Sequence, residues 1–172
     1  MKYHNITKDD MLNGDGLRVV LWVSGCTVKC KGCQNPCTWD FNDGLEFDES
    51  ARQEIFAELD KDYISGITLT GGHPLEEKNY ETVKSLCKEI KEKYPNKTIW
   101  VYSGWEWKFI YMNMDKILPY IDVLVDGPFQ IDKRDTKLMW KGSSNQRVIN
   151  VQETLKQEDP LIPVLHCPDF MN

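Results

Sequence analysis

Val19-Val-Leu-Trp-Val23 is followed directly by Ser24-Gly25-Cys26-Thr-Val-Lys-Cys30-Lys-Gly-Cys33. The apolar run predicts a fully buried strand. The cysteines after it have the spacing Cys-x3-Cys-x2-Cys, so three thiolates can face one common point. Soft, anionic sulfur ligands of this kind suit an iron–sulfur cluster. Because a cubane cluster has four irons, three cysteines leave one iron free to bind a substrate.

A structural zinc site is the alternative interpretation, with Cys37, His73 or His166 as a fourth ligand. Structural zinc usually takes two separate Cys-x2-4-Cys pairs, and a second pair is absent from this sequence. Cys37 lies four positions after Cys33, and we interpret it as a loop thiol. Disulfides are not expected, because four of the six cysteines fall within residues 26–37 of a chain without a secretory signal.

Length and charge limit the remaining classes. The 172 residues predict one domain that spans residues 1–172. The net charge of −6 argues against a nucleic-acid-binding surface, which would be basic. No run of about 18 apolar residues predicts a membrane span. The first residues contain no apolar signal segment, so we expect a cytoplasmic protein.

Gly and Pro divide the chain into alternating strands and helices. Strands are predicted at residues 19–23, 66–70, 98–102, 121–125 and 147–151, and helices at residues 80–94, at residues 106–111 and from a capping box at Ser50. This alternation predicts an α/β protein, specifically an incomplete TIM-like barrel of about five parallel strands with outer helices. Ligands in such folds bind where the strands end, and here those ends are rich in small and polar residues beside the cysteines.

The N-terminal motifs resemble those of a known family. Gly14-Asp-Gly16-Leu-Arg18, Trp22 and the three-cysteine loop resemble the signature of radical S-adenosylmethionine (SAM) activating enzymes, which commonly have Phe at the position of Trp22. The resemblance implies a radical SAM core in which Cys26, Cys30 and Cys33 hold a [4Fe–4S] cluster. It also implies that the open iron chelates SAM through the amino and carboxylate groups of its methionine part.

A second motif, Thr70-Gly71-Gly72-His73-Pro74, resembles the Gly-Gly-acidic-Pro turn with which this family contacts the amino end of SAM. Glycine permits close backbone approach to a ligand. His73 departs from the usual acidic residue, and a neutral imidazole could accept one hydrogen bond in its place. The cofactor contacts expected in these two loops are Gly32, Cys33, Gln34, Gly71, Gly72 and His73.

A third pair of segments resembles one branch of the family. Asp122-Val-Leu-Val-Asp126-Gly-Pro-Phe129 and Gly142-Ser-Ser-Asn-Gln-Arg147 are similar to segments of the activating proteins of anaerobic, class III ribonucleoside-triphosphate reductases. Asp126 is a candidate for the SAM ribose hydroxyls, and a solvated loop aspartate is the alternative. We expect the second segment to lie at the rim of the active site or on the partner surface.

The resemblance implies an oxidoreductase that cleaves SAM and generates a glycyl radical on the large subunit of the reductase. No acid–base side chain is assigned, because the cofactor supplies the chemistry. Lys29 and Lys31 could attract an acidic one-electron donor such as a flavodoxin. The alternatives are an activator of another glycyl radical enzyme, of the pyruvate formate-lyase type, and a non-catalytic metal-binding interaction protein.

Overall fold

A computed structural model describes residues 1–168, which form a single seven-stranded mixed sheet and four α-helices. The strands are β1 (Lys2–Asp10), β2 (Leu17–Val23), β3 (Leu45–Glu46), β4 (Ile64–Gly71), β5 (Thr98–Tyr102), β6 (Val123–Asp126) and β7 (Arg147–Asn150). The helices are α1 (Glu49–Leu59), α2 (Glu77–Lys93), α3 (Trp107–Asn113) and α4 (Val151–Leu155). Short 3-10 helices cover Pro36–Thr38, Asp115–Tyr120 and Ile131–Lys133.

The sheet has the order β3-β1-β2-β4-β5-β6-β7, and its four central strands run parallel. β1 and β7 flank these strands and run antiparallel to their neighbours. The predicted α/β class is confirmed. About five parallel strands were predicted, whereas the sheet has four. The expected fifth strand is β7, which runs antiparallel because no crossover α-helix lies between β6 and β7.

The sheet is open, since β3 and β7 are its two edges and do not pair with each other. β1 is absent from the predicted strands. Its sequence is largely polar, and a register shift between Tyr3 and Asn5 breaks the two-residue alternation that would reveal a strand. None of the helices within residues 1–168 combines the length and the apolar character needed to cross a membrane.

Alternate residues of the central strands serve two different faces of the sheet. One face is aliphatic and packs against α1 and α2, with a core that includes Val19, Leu21, Ile67, Leu69, Ile99, Val101, Ile55, Leu59, Val83, Leu86 and Ile90. The opposite face is polar and aromatic and includes Thr68, Thr70, Trp100 and Tyr102. The helices therefore cover one face and leave the other for a cleft.

The sequence predicted the start of α1 and the extent of α2 with different success. α1 begins at Glu49, because the Asp48 carboxylate accepts a hydrogen bond from the backbone N–H of Ala51 at 3.0 Å. The predicted capping box at Ser50 is therefore wrong. The long amphipathic helix predicted at residues 80–94 is confirmed as α2, which ends just before Pro95.

Arg18 closes the polar face at the end where the parallel strands begin. Its side chain is fully buried, and its guanidinium donates hydrogen bonds of 2.8–2.9 Å to oxygens of Asp15, Ile67, Thr68 and Thr98. Burial lowers the pKa of Arg18 to about 10. The Gly14-to-Arg18 motif therefore holds the strands together at the end opposite to the cysteines.

Candidate metal centre and cofactor cleft

The carboxyl ends of β2, β4, β5 and β6 meet along one edge of the sheet, which we call the rim. The N–H of Gly72 donates to the carbonyl of Val23 at 2.8 Å, and the N–H of His73 donates to the carbonyl of Gly25 at the same distance. The N–H of Ser103 donates to the carbonyl of Val125, also at 2.8 Å. The structure thus brings the predicted strand-end turns together, beside the cysteines.

The cysteine loop, residues 25–41, is fixed at its two ends. The N–H of Gly25 donates to the carbonyl of Thr38 at 2.7 Å, and the N–H of Cys26 donates to the carbonyl of Trp39 at 3.1 Å. Between these ends the chain turns back on itself, with a positive φ of 46° at Lys29. Cys26, Cys30 and Cys33 are partly exposed in this loop.

Backbone N–H groups surround the three sulfur atoms. Asn35 donates its N–H to the Cys33 Sγ at 3.3 Å, the N–H groups of residues 28 and 29 face the Cys26 sulfur, and that of Phe129 faces the Cys30 sulfur. Burial raises the pKa of the Cys26 and Cys30 thiols, while these N–H groups oppose the rise. Partly buried sulfurs with N–H donors are a donor set that fits an iron–sulfur cluster.

A cleft of about 520 Å³ opens beside Cys33. Its walls come from the cysteine loop, the strand ends and the β6–β7 loop, and include Gln34, Thr70, Tyr102, Phe129, Trp140 and Gly142. Gly32 lies where the cysteine loop meets the β6–β7 loop, because a Cβ atom there would stand 2.4 Å from the Ile131 side chain. This volume lies within the range of small-molecule sites.

The His73 side chain does not reach for a ligand. It is 1% exposed, and its Nε2 lies 2.8 Å from the Ser103 hydroxyl while its Nδ1 lies 3.3 Å from Glu76 Oε1. The ring also packs edge-on against Trp105, with 4.3 Å between the ring centroids. Because both ring nitrogens already have protein partners, the hydrogen bond that the His73 imidazole was predicted to accept from the cofactor is not supported.

Glu76 is a site residue that the sequence patterns did not reveal. Its Oε1 accepts hydrogen bonds from the Thr27 N–H at 2.8 Å and from the Thr27 hydroxyl at 2.5 Å. Burial raises the pKa of Glu76, but the bonds from His73 and Thr27 outweigh burial and lower the pKa to about 2. No local pattern signals this role, because Thr27 lies forty-nine positions before Glu76 in the sequence.

Asp126 is buried at the end of β6, and its carboxylate is already bound. It accepts hydrogen bonds from the N–H of Trp107 at 2.7 Å and from Nε of Arg147 at 3.1 Å, and it also forms an ion pair with Arg147. The predicted contact with ribose hydroxyls is therefore not supported, and neither is the solvated alternative. In the segment from Gly142 to Arg147, Gly142 and Gln146 line the cleft, which agrees with the expected rim position.

Similarity to known proteins agrees with this site. Residues 12–149 match the family described as a 4Fe-4S single cluster domain. The anaerobic ribonucleoside-triphosphate reductase-activating protein of Enterobacteria phage T4 is 41% identical over 148 residues, which cover 86% of this chain and 93% of the relative. The protein of that name from Pasteurella multocida is 42% identical over 150 residues, with 85% and 95% covered. The one from Haemophilus influenzae is 41% identical over 148 residues, with 85% and 96% covered.

The chain belongs to the family of anaerobic ribonucleoside-triphosphate reductase-activating proteins. The resemblance to this family is thereby confirmed, over more of the chain than the quoted motifs span. The matching 4Fe-4S domain also supports the predicted iron–sulfur cofactor of this activating protein.

Two of the three candidate fourth ligands for zinc, His73 and His166, are bound to other residues in this protein. Within residues 1–168, no three His, Cys, Asp or Glu side chains converge closely enough to hold one metal ion. A zinc ion would need four ligands at about 2.0–2.3 Å, whereas a cubane cluster spreads its cysteines over separate corners. His73 is bound to Ser103 and Glu76, and His166 lies 2.6 Å from Asp15 near the opposite end of the sheet.

Replacing Asp126 by asparagine separates a structural role of this residue from a role in binding. Asp126→Asn points an NH₂ group at N–H donors, and we expect the free energy of unfolding to fall by about 2 kcal/mol. Chemical denaturation followed by circular dichroism measures this change. Asp132→Asn, at an exposed position of the loop that follows β6, is the control and should leave stability unchanged. Unchanged stability combined with weaker SAM binding would restore the ribose role.

Proposed function

We propose that this protein is a radical SAM activase. It cleaves SAM reductively at a [4Fe–4S] cluster held by Cys26, Cys30 and Cys33, and it generates a glycyl radical on the anaerobic ribonucleoside-triphosphate reductase. The observation that carries the proposal is that Cys33 lines the same cleft as the strand-end residues Thr70 and Tyr102. A cluster on the cysteine loop would therefore adjoin a space of the size that a nucleoside cofactor needs.

In this proposal the protein binds the cluster and SAM, orients SAM and shields the reacting groups. A reduced cluster held by Cys26, Cys30 and Cys33 would supply the electron for the cleavage of SAM to methionine and a 5′-deoxyadenosyl radical, which would take a hydrogen atom from a glycine Cα to give 5′-deoxyadenosine. Gly71 and Gly72 offer backbone to the methionine end of SAM, and Gln34 faces the cleft from the cysteine loop. The aromatic side chains of Tyr102, Phe129 and Trp140 form part of the cleft wall and would shield a bound cofactor on that side.

Backbone contacts are the part of the predicted SAM site that we retain. His73 contributes through its place in the turn, and Asp126 contributes by fixing β6 to Arg147, so neither side chain is assigned to SAM. No side chain is assigned as an acid or a base. We also propose that the open sheet curves as a partial TIM-like barrel, the radical SAM core, with the cleft on its concave face and the helices outside.

The partners follow from the family and from charge. The relatives are named for activating anaerobic ribonucleoside-triphosphate reductase, and we propose the large subunit of that reductase as the target. Lys29 and Lys31 are exposed beside the cluster ligands in a chain whose net charge is −6. They could guide an acidic one-electron donor such as a flavodoxin to the cluster. We place these reactions in the cytoplasm, which keeps thiols reduced.

Anaerobic reconstitution tests the proposal. The protein is loaded with iron and sulfide, mixed with SAM and dithionite, and incubated with the reductase, with pyruvate formate-lyase or without a partner. We expect 5′-deoxyadenosine as product and a glycyl radical signal in electron paramagnetic resonance on the reductase. A radical on pyruvate formate-lyase alone would replace the substrate but keep the chemistry. A protein that binds a cluster and does not cleave SAM with any partner would favour the non-catalytic interpretation.

A further inference from the structure

A chain of polar groups, three of them buried and the last exposed, leads from the ends of two strands to the residue after the first proposed cluster ligand. It consists of Ser103 at the end of β5, His73 after β4, Glu76 before α2 and Thr27 in the cysteine loop. Ser103, His73 and Glu76 are 5%, 1% and 6% exposed. Thr27 directly follows Cys26. The chain of contacts therefore ends one residue away from a proposed cluster ligand.

The hydrogen-bonding capacities of this chain agree with one arrangement of protons. The Ser103 hydroxyl oxygen accepts the N–H of Trp105 at 3.0 Å, which leaves its own hydrogen free to be donated to His73 Nε2. The remaining ring proton is then on Nδ1 and is donated to the Glu76 carboxylate. In this arrangement one hydroxyl proton and one ring proton satisfy Ser103, His73 and Glu76 together.

Glu76 connects this buried pair to the cysteine loop. A single carboxylate oxygen, Oε1, receives the N–H of Thr27, the hydroxyl of Thr27 and Nδ1 of His73. Two of these bonds come from the residue after Cys26, so they restrict the path of the loop as it leaves β2. Burial raises the pKa of the Cys26 thiol, and the charge of Glu76 raises this pKa further.

We propose that Glu76 is a positioning residue for the cluster, which holds the loop after Cys26 through Thr27 and is itself oriented by His73. This inference rests on the proposed cluster ligands and goes beyond them, because it assigns a task to two side chains that do not bind the cluster. It also explains how His73 serves where the resembling family has an acidic residue. The His73 imidazole does not replace the acidic side chain of the family; it orients the carboxylate of Glu76.

The test measures the cluster itself, without SAM turnover. Glu76→Gln keeps the size of the side chain but removes its charge. We expect the cluster of this variant to have a more positive midpoint potential, because a neighbouring negative charge no longer opposes the added electron. We also expect an iron chelator to remove the cluster about tenfold faster than from wild type, since outer-shell partners typically contribute that much to metal retention. Redox titration and the decay of the cluster absorbance give the two values.

Three further variants control this test. Glu77→Gln removes the same charge from the next, exposed residue and should leave both values at wild type. Thr27→Val removes the hydroxyl bond to Glu76 but leaves the charge of Glu76 in place. We therefore expect faster loss of the cluster and a smaller shift of the midpoint potential than in Glu76→Gln. Thr27→Ser keeps the hydroxyl and should behave as wild type. The Thr27 pair decides the matter if Glu76→Gln does not fold.

Two kinds of failure are distinguishable. If wild type retains no cluster after reconstitution, the proposed ligands fail, and the positioning role fails with them. If wild type retains a cluster but Glu76→Gln and Thr27→Val match it in potential and in chelation rate, the positioning role alone is overturned.

Discussion

Cys30→Ala is expected to abolish the iron–sulfur absorbance and all cleavage of SAM. The Cys30 sulfur faces the N–H of Phe129, so it is the proposed ligand that connects the cysteine loop with the β6–β7 loop. Removing it leaves two cysteines for a cluster that needs three protein ligands and one open iron. Visible absorbance after anaerobic reconstitution, iron content and the yield of 5′-deoxyadenosine measure the result. Cys26→Ala and Cys33→Ala should give the same loss.

Cys37→Ala is the matched control for this prediction. Cys37 is exposed in the Pro36–Thr38 helix, in the same loop and four positions beyond Cys33. We expect this variant to keep its cluster and its SAM cleavage. If Cys30→Ala remained active while Cys37→Ala did not, the ligand set would have to be reassigned to include Cys37.

β2, β5 and β6 could be predicted from the sequence because most of their residues are buried and apolar. Residues 98–102 coincide with β5, and residues 19–23 form the end of β2. β1 could not be found in this way, since polar residues predominate in its sequence and a register shift disturbs its alternation. The direction of β7 could not be predicted either, because it depends on a long connection that contains no α-helix.

In the site, too, features encoded by neighbouring residues could be predicted, whereas contacts between residues far apart in the sequence could not. The cysteine spacing and the Gly-Gly turn are local patterns, and the structure places both at the rim. The partners of His73 and Asp126 are not local: Ser103 lies thirty positions beyond His73, and Arg147 lies twenty-one beyond Asp126. A polar residue at a strand end is equally compatible with binding a ligand and with holding another strand end. The fold decides between these roles through the partner that it places within reach.

Gly72→Ala is expected to reduce SAM cleavage by about 100-fold, the loss that follows when reacting groups are displaced by about 1 Å. A Cβ atom at Gly72 would lie 2.6 Å from the carbonyl oxygen of Gly25 and 2.9 Å from that of Val23. Backbone oxygens cannot rotate away, so the turn must move off the cysteine loop. That movement would break the bonds from the N–H groups of Gly72 and His73 that hold the turn there.

Gly104→Ala provides the comparison, because it makes the same substitution at another rim glycine. A Cβ atom at Gly104 would meet the side chain of Val28, at 2.8 Å, rather than backbone. Since a side chain can adjust, we expect a much smaller loss of activity. Both variants are measured for cluster content, SAM affinity and 5′-deoxyadenosine formation. If Gly72→Ala keeps its cluster but loses SAM affinity, the Gly-Gly turn acts on the cofactor. If it cleaves SAM at the wild-type rate, the turn has no role in positioning SAM.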